Sequence, residues 1–280
     1  MNNPGVDPFD LLIRARTVLL DALDALAEHR HAVIVIGAQA VYLRTGGISV
    51  ALAESTKDSD IVLDPRSFGT DPTIEAVMRK AEFFPSCTGQ PGSWVNAAGI
   101  PVDLMVPEQL AGPGTKHTRG ARIPPHDNKA TRRARGLEAT LIDHSEIIVT
   151  ALDPDDQRRI TALVAGPAAL LVAKCHKIAE RVDSPHRLND KDAHDVYRIL
   201  AAIDTDTLRT TFTALLAEDI SHQATDDALS YLEELFASGP TALGATMAGR
   251  AEEGVGEPAQ VSAAVSILAA DLLETLHTPT

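Results

Sequence analysis

This 280-residue chain has few aromatic residues, which make up 4% of it, and only two cysteines, Cys87 and Cys175. Alanine, leucine, valine and isoleucine must therefore form most of the core, and a hydrophobic content of 44% is typical of a globular protein. Neither cysteine lies in a metal-ligand spacing, which argues against a disulfide framework or a cysteine zinc site. Two isolated thiols favour a reducing, cytoplasmic location.

Long apolar runs and a leader sequence are also missing. No stretch approaches the roughly 20 apolar residues that cross a bilayer. Residues 1–10 lack a basic region followed by an apolar one. We therefore expect no membrane segment and no signal peptide.

Basic residues are in the minority, with 25 Lys and Arg against 39 Asp and Glu, and the net charge is −14. This excludes non-specific nucleic-acid binding over the whole surface. Residues 116–135 differ, because they hold seven Lys or Arg and one acidic residue. They lie within the segment 107–136, which is rich in Gly, Pro and charge and is predicted to be a loop or mobile arm. The basic stretch 116–135 is either solvated surface or a phosphate-contacting arm, in which Arg132, Arg133 and Arg135 are the RNA-binding candidates.

Hydrophobic periodicity divides the chain into two parts. Up to about residue 165, helical patterns alternate with strands, which are predicted at 31–37, at 58–64, in a hairpin over 93–107, around the Asp143-His144-Ser145 turn, and near 160–166. Further on, helices are predicted over 166–182, 189–203, 205–220, 221–237 and 260–276. We predict an α/β (α+β) domain with a mixed sheet at 1–165, followed by an all-helical domain at 166–280.

Two carboxylates precede a strand in the stretch ESTKDSDIVLD, residues 54–64. Side chains two apart on a strand project to the same face, so Asp58 and Asp60 can hold a divalent cation together while apolar neighbours pack the other way. Their oxygen atoms suit Mg²⁺, which takes one or two carboxylates together with water and substrate phosphates. An acidic pair alone is a weak signal, because such pairs are common on surface strands.

Two further features strengthen that signal. The stretch VIVIGAQAVYL predicts a strand, then Gly37 and Ala38, then a helix, an arrangement that points backbone N–H groups at a phosphate. Asp103 lies in the middle of the apolar strand IPVDLMV, where a carboxylate is costly unless it faces a cleft or pairs with a cation. Asp103 is therefore either a third site residue or a strand aspartate bound to a neighbouring lysine or arginine.

The strand–glycine–helix segment, the Asp58/Asp60 pair and the later Asp103 together resemble the DNA-polymerase-β-like nucleotidyltransferase superfamily. The resemblance implies that Asp58 and Asp60 hold two Mg²⁺ ions and that Asp103 lies at the ion that activates the acceptor hydroxyl. It also implies an NTP substrate, with Gly37 shaping the phosphate loop. The candidate residues beside the NTP in this half of the chain are Gly37, Ala38 and Lys57.

The stretch LLVAKCHKIAERVDSPHRLNDKDAHDVYRIL narrows the resemblance. Lys174 and Arg181 are seven residues apart, about two helical turns, so both project from one face and can supply cations to a triphosphate. A lysine, an arginine and then Lys-Asp-x-x-Asp resemble the AbiE-type (AbiEii-like) abortive-infection toxins and the MenT toxins. The residues that this resemblance adds are Lys174 and Asp192 as catalytic, and Lys174, Arg181, Lys191 and Asp195 as NTP-binding. Taken singly, each of them is typical of solvated surface.

The resemblance implies a toxin-like, Mg²⁺-dependent nucleotidyltransferase that moves an NMP from an NTP to an acceptor hydroxyl. It further implies the acceptor end of tRNA as the substrate and a cognate antitoxin as a partner. Two alternatives stay open: transfer to a small molecule or a protein, and a non-catalytic relic that acts as a binding or regulatory module. The three carboxylates argue against the relic, since a relic has no reason to keep three costly like charges together.

Overall fold

The structure, a computed structural model, describes residues 8–46, 58–115 and 117–278. These residues divide into two compact units. The sheet unit comprises residues 8–43, 58–115, 117–134 and 144–165, and the helical unit comprises residues 44–46, 135–143 and 166–278. Two short segments from the first part of the chain thus belong to the helical unit. The division into domains at 1–165 and 166–280 remains a prediction.

The sheet unit contains a mixed sheet, as predicted. Its strands are β1 (Val33–Ile36), β2 (Ser59–Leu63), β3 (Phe84–Pro85), β4 (Ser93–Val95), β5 (Pro101–Pro107), β6 (Arg132–Ala134), β7 (His144–Thr150) and β8 (Arg159–Ala165). Its helices are α1 (Pro8–Ala25), α2 (Gly37–Thr45, of which the last two residues count with the helical unit) and α3 (Ile74–Lys80).

The strand order in this sheet is β3-β4-β5-β2-β1-β8-β7, and β6 pairs with β5 outside that path. Strand β1 is antiparallel to β2 and parallel to β8, while β2 is parallel to β5. Hairpins join β4 to β5 and β7 to β8. All four residues of β1 are buried, and so are Ile61, Val62 and Leu63 of β2. Both faces of these central strands are therefore covered, which explains why their sequences are almost continuously apolar.

Helix α1 covers one face of the central strands. The hydroxyl of Ser59 in β2 donates to the carbonyl oxygen of Ala15 in α1 at 3.1 Å. Ile61 and Leu63 follow Ser59 at intervals of two and are fully buried. Side chains alternate along a strand, so Asp60 projects from the other face of the sheet, and Asp58 continues the same alternation before β2 begins.

The helical unit is built from six α-helices within residues 166–278. They are α4 (Pro167–Ala179), α5 (Asp190–Ala202), α6 (Thr205–Ala217), α7 (His222–Leu232), α8 (Leu243–Arg250) and α9 (Pro258–His277). Side-chain caps begin two of them: Asn189 accepts from the N–H of Lys191 at 3.1 Å, and Asp204 accepts from the N–H of Thr207 at 3.2 Å.

A distant aspartate fixes the start of α4. The carbonyl oxygen of Asp143 accepts from the N–H of Gly166 at 2.8 Å, and its carboxylate accepts from the N–H of Ala169 at 2.9 Å. A Cβ at position 166 would collide with that carboxylate, so glycine is required there. Asp143 thus caps a helix that lies more than 20 residues further along the chain.

Helix α9 is long and apolar enough to cross a membrane, judged by length and composition alone. The sequence prediction that no such segment exists overlooked it, because two acidic residues interrupt its apolar run. In this structure α9 contacts α5, α6 and α8 and buries Val265, Ala269 and Leu272. Its most apolar 18-residue window is 33% buried in this structure.

Two local predictions are wrong. Residues Glu138–Leu141 form a buried 3₁₀ turn instead of a strand. Helix α8 was missed, because two glycines and short side chains hide its periodicity. The segment 107–136 is a loop over most of its described part, as predicted, but it is anchored: it contains β6, and the indole N–H of Trp94 donates to the carbonyl oxygen of Ala130 at 2.9 Å.

Candidate functional site

Two of the predicted metal ligands are neighbours across the sheet. In the parallel pairing of β2 with β5, Asp60 lies opposite Asp103, and in the antiparallel pairing of β1 with β2 it lies opposite Ile36. Paired residues on adjacent strands project to the same face, with backbones about 4.8 Å apart. Both aspartates are half-buried. Strand pairing therefore brings Asp60 and Asp103 together from positions 43 residues apart.

Gly37 begins α2 directly after β1 and approaches Asp60 closely. Its φ is +70°, in the left-handed region that favours glycine. A Cβ added at this position would collide with the carboxylate of Asp60. Gly37 is therefore required both by its own backbone and by the position of Asp60. The next residue, Ala38, is buried.

The third predicted ligand, Asp58, stands just before β2 and is half-buried. Within residues 8–46, 58–115 and 117–278, no group of three or more His, Cys, Asp or Glu side chains is close enough to hold a metal ion. The structure therefore brings together the pair Asp60 and Asp103 but does not assemble all three carboxylates. Lys57, the predicted NTP-binding neighbour of Asp58, lies outside the described residues.

Arg132, a predicted RNA-binding residue, bonds to a carboxylate of its own sheet. Its Nη2 donates to Asp103 Oδ2 at 3.2 Å and to the sulfur of Met105 at 2.9 Å. Asp103 is thus bonded to a neighbouring arginine, the alternative that the sequence left open. The signal for this pairing was a carboxylate in an apolar strand, which needs a cation nearby.

The other two predicted RNA-binding arginines also differ from one another. Arg133 donates through Nη2 to the carbonyl oxygens of Ala111 at 3.0 Å and Gly112 at 2.6 Å. Arg135 is exposed and belongs to the helical unit. The three arginines therefore do not share one arm, and their role in RNA binding remains a prediction.

In the helical unit, Lys174 is the centre of a buried ionic cluster. Its Nζ donates to Asp192 Oδ1 at 2.8 Å and to Asp195 Oδ2 at 2.6 Å. All three side chains are about 5% exposed. Burial by itself lowers the pKa of Lys174, but the attraction of the two carboxylates outweighs it and holds that pKa well above its usual range.

Two further cations complete this cluster. Lys177 donates to Asp192 Oδ1 at 2.9 Å, and Arg181 lies 3.5 Å from Asp192 Oδ2. Burial raises the pKa of Asp192, but Lys174 and Lys177 overcome that effect and hold the pKa well below its usual range. Lys177 was missed in the sequence, although its position three residues after Lys174 puts it on the same helical face.

The remaining signature residue, Lys191, lies in the first turn of α5 and is half-buried. The two cysteines differ in exposure: Cys87 is exposed and Cys175 is buried. Burial raises the pKa of the Cys175 thiol to about 12, so it is neutral and suited to the core.

No known family model matches this chain, and no curated protein sequence is similar to it. A match among solved structures is a crystal structure from H. pylori that carries the provisional description of a nucleotidyltransferase. The two chains are 10% identical, the match covers 95% of this chain and 96% of the other, and the TM-score is 0.29. A TM-score this low does not establish a shared fold, so the function of this chain has to be argued from its own residues.

Proposed function

We propose that this chain is a Mg²⁺-dependent nucleotidyltransferase that moves an NMP group from an NTP to an acceptor hydroxyl. The observation that carries the proposal is the register of Asp60 beside Asp103, with Gly37 pressed against Asp60 where β1 ends and α2 begins. Two carboxylates and the start of a helix meet at one place on the sheet. Carboxylates favour a divalent cation, and the start of a helix favours a phosphate.

The donor set fits the metal. Asp60 and Asp103 offer hard oxygen atoms, and one or two carboxylates are the usual protein contribution to a Mg²⁺ site. Asp58 would join them, and two ions are proposed from the resemblance of the sequence. Bound Mg²⁺ would activate the acceptor hydroxyl and neutralise the leaving pyrophosphate. The protein contributes by fixing the separation of Asp60 and Asp103 through the pairing of β2 with β5.

The signature residues of the helical unit are proposed to serve the NTP phosphates. Lys177 and Arg181 are the more accessible cations, with side chains 39% and 25% exposed. Lys174 and Asp192 would position them, since both are buried and bonded to each other. The other residues proposed to bind the NTP are Gly37, Ala38, Lys57, Lys191 and Asp195.

The acceptor is proposed to be the end of a tRNA, modified by a toxin-like cytoplasmic enzyme that a cognate antitoxin restrains. Support comes from the resemblance of the sequence and from exposed basic residues in the segment 117–135, which are Arg119, Arg122, Lys129 and Arg135. They are better suited to phosphate contacts than Arg132 and Arg133, whose guanidinium groups bond within the sheet unit.

A non-catalytic binding module is the second candidate. The observation that favours it is the ion pair between Arg132 and Asp103, which neutralises one predicted metal ligand with a protein cation. Transfer of a nucleotide to a small molecule or a protein is a variant of the enzymatic proposal.

The test is incubation of the protein with each labelled NTP, Mg²⁺ and total RNA, followed by separation of RNA and protein on gels. We expect label in a tRNA band, and a loss of at least about 100-fold in Asp60→Asn. Asp64→Asn is the matched control, because Asp64 follows the same strand but bonds to Arg66 at 2.8 Å. It should keep the activity.

The outcomes separate the candidates. Label in protein instead of RNA would indicate a protein acceptor. No transfer from any NTP to any fraction would overturn the enzymatic proposal and leave the binding module as the better explanation. Equal activity of Asp60→Asn and the wild type would remove the sheet carboxylates from the site.

A further inference from the structure

The ion pair between Arg132 and Asp103 joins two residues that the sequence assigned to different tasks. Asp103 is a proposed metal ligand in β5, and Arg132 comes from β6, which runs parallel to β5. Arg132 lies opposite Met105 in this pairing, two residues beyond Asp103. Its side chain reaches back along the strand, so its guanidinium occupies a carboxylate oxygen that a metal would need.

The geometry of this pair is that of a contact that can be exchanged. A strong arginine–carboxylate pair uses two parallel N–H···O bonds, whereas here only Nη2 of Arg132 bonds to Asp103, through Oδ2, and the same nitrogen also donates to the sulfur of Met105. The Nε of Arg132 is buried and has no hydrogen-bond partner among the described residues. The amide of Gln90 approaches the same Oδ2 only to 3.5 Å. Arg132 therefore has an N–H donor, on Nε, that makes no hydrogen bond with the described residues, and it lies next to the proposed metal ligand Asp103.

The backbone of Arg132, by contrast, is fixed. It pairs with Met105 on one side and forms an isolated bridge with Gly120 on the other. Gly92 lies so close that a Cβ there would collide with the backbone nitrogen of Arg132. The guanidinium can therefore change partners by side-chain rotation alone, which takes place on a fast timescale and leaves the sheet intact.

We propose that Arg132 is the counter-ion of Asp103 in the metal-free protein and competes with the divalent cation for Asp103 Oδ2. Metal binding displaces the guanidinium, whose donors then become available to an anionic group such as a substrate phosphate. Arg132 is a positioning residue in this scheme. The inference rests on the proposed function, because it requires that Asp103 be a metal ligand. It predicts that Arg132 weakens metal binding, since only the fraction of molecules with a released Asp103 is competent.

The experiment is a titration of the whole protein with Mn²⁺ alone, followed by the electron paramagnetic resonance signal of the free ion. We expect Arg132→Gln to bind Mn²⁺ about 10-fold more tightly than the wild type. Arg133→Gln is the matched control: it is the next residue of β6, is also half-buried with an unpartnered Nε, but bonds to backbone carbonyls. It should leave the affinity unchanged. Arg132→Lys keeps the positive charge but lacks the planar guanidinium, so its affinity for Mn²⁺ should lie between that of the wild type and that of Arg132→Gln.

The double variant Arg132→Gln with Asp103→Asn assigns the effect to the pair, because the gain in affinity must vanish once the shared carboxylate is gone. Circular dichroism confirms that each variant is folded. If the wild type binds Mn²⁺ through Asp103 and Arg132→Gln binds no more tightly, the inference is wrong and the proposed function stands. If neither the wild type nor Arg132→Gln binds Mn²⁺, the inference and the proposed function are both wrong. Tighter binding by Arg133→Gln as well would indicate a general charge effect and would also overturn the inference.

Discussion

The sheet unit and the helical unit each contain a group of acidic and basic side chains, but the two groups are balanced differently. In the helical unit, three cations face the two carboxylates Asp192 and Asp195, and the central contacts are short and buried. In the sheet unit, Asp60 and Asp103 are half-buried, and the arginine at Asp103 makes one shared contact. The first group compensates its own charge through short, buried contacts, whereas in the second the contact between Arg132 and Asp103 is longer and its side chains are more exposed.

This difference teaches that spacing on a helix face does not distinguish a ligand site from a structural cluster. The signature that resembles a triphosphate site includes Lys174, which in this structure is bonded to its own chain on two sides. Removing one partner of a buried ionic cluster leaves an uncompensated charge. The helical cluster is therefore expected to respond to mutation first in stability, and the sheet carboxylates first in metal binding.

The largest expected effect follows from Lys174→Ala. It leaves Asp192 and Asp195 buried without their central cation and should lower the free energy of unfolding by about 3 to 5 kcal/mol. Thermal unfolding followed by circular dichroism measures it. Lys177→Ala is the control, because Lys177 binds the same Asp192 from a side chain that is 39% exposed. It should cost about 1 kcal/mol or less. Equal melting temperatures for the two variants would contradict the conclusion that Lys174 is the cation that balances Asp192 and Asp195.

An acid titration should show the same contrast. The pKa of Asp192 is held below its ordinary value of 3.8, so its contribution is present above that value and is lost as the pH falls through the depressed folded pKa. Comparing the wild type with Asp192→Asn between about pH 7 and pH 2 isolates this contribution, which should reach roughly 2 kcal/mol. A difference in stability between the two proteins that does not change over this range would contradict the assignment.

A smaller effect is expected in the sheet unit from Gly37→Ala. The positive φ and the collision with Asp60 should cost about 1 to 3 kcal/mol and should displace the carboxylate. Gly99→Ala is a close control, because Gly99 has a φ of +71° but no atom within 4 Å of an added Cβ. The difference between the two variants measures the contact with Asp60. Only Gly37→Ala should also weaken Mn²⁺ binding; unchanged affinity would separate Gly37 from the metal site.

Short-range patterns predicted the parts of the fold that depend on local sequence. The apolar runs before Gly37 and after Asp60 predicted β1 and β2, and helical periodicity predicted α5 and α6. The sequence could suggest that Asp60 and Asp103 are neighbours but could not establish it, since strand order and register depend on pairing between distant segments. The three-residue strand β6 shows the limit clearly. Its basic sequence has no apolar alternation, and it pairs with the last three residues of β5, past the residues of β5 that pair with β4.

The environment of Lys174 is a second feature that the sequence could not predict. Its spacing from Arg181 defines a helix face, but what covers that face is decided by the packing of α5 on α4. Sequence alone could therefore name Lys174, Asp192 and Asp195 as a set without showing that they bind one another.

The cap that Asp143 provides for α4 has a consequence for dissecting this protein into fragments. A fragment cut at 166–280 would lose the carboxylate that holds Ala169 and the carbonyl that holds Gly166. It would also lose the threonine hydroxyl of Thr45, which accepts from Arg198 at 3.3 Å. The helical unit is thus encoded by three separated stretches of the gene. A gene truncated at residue 166 should yield an unstable product, whereas a cut before residue 135 keeps the native start of α4.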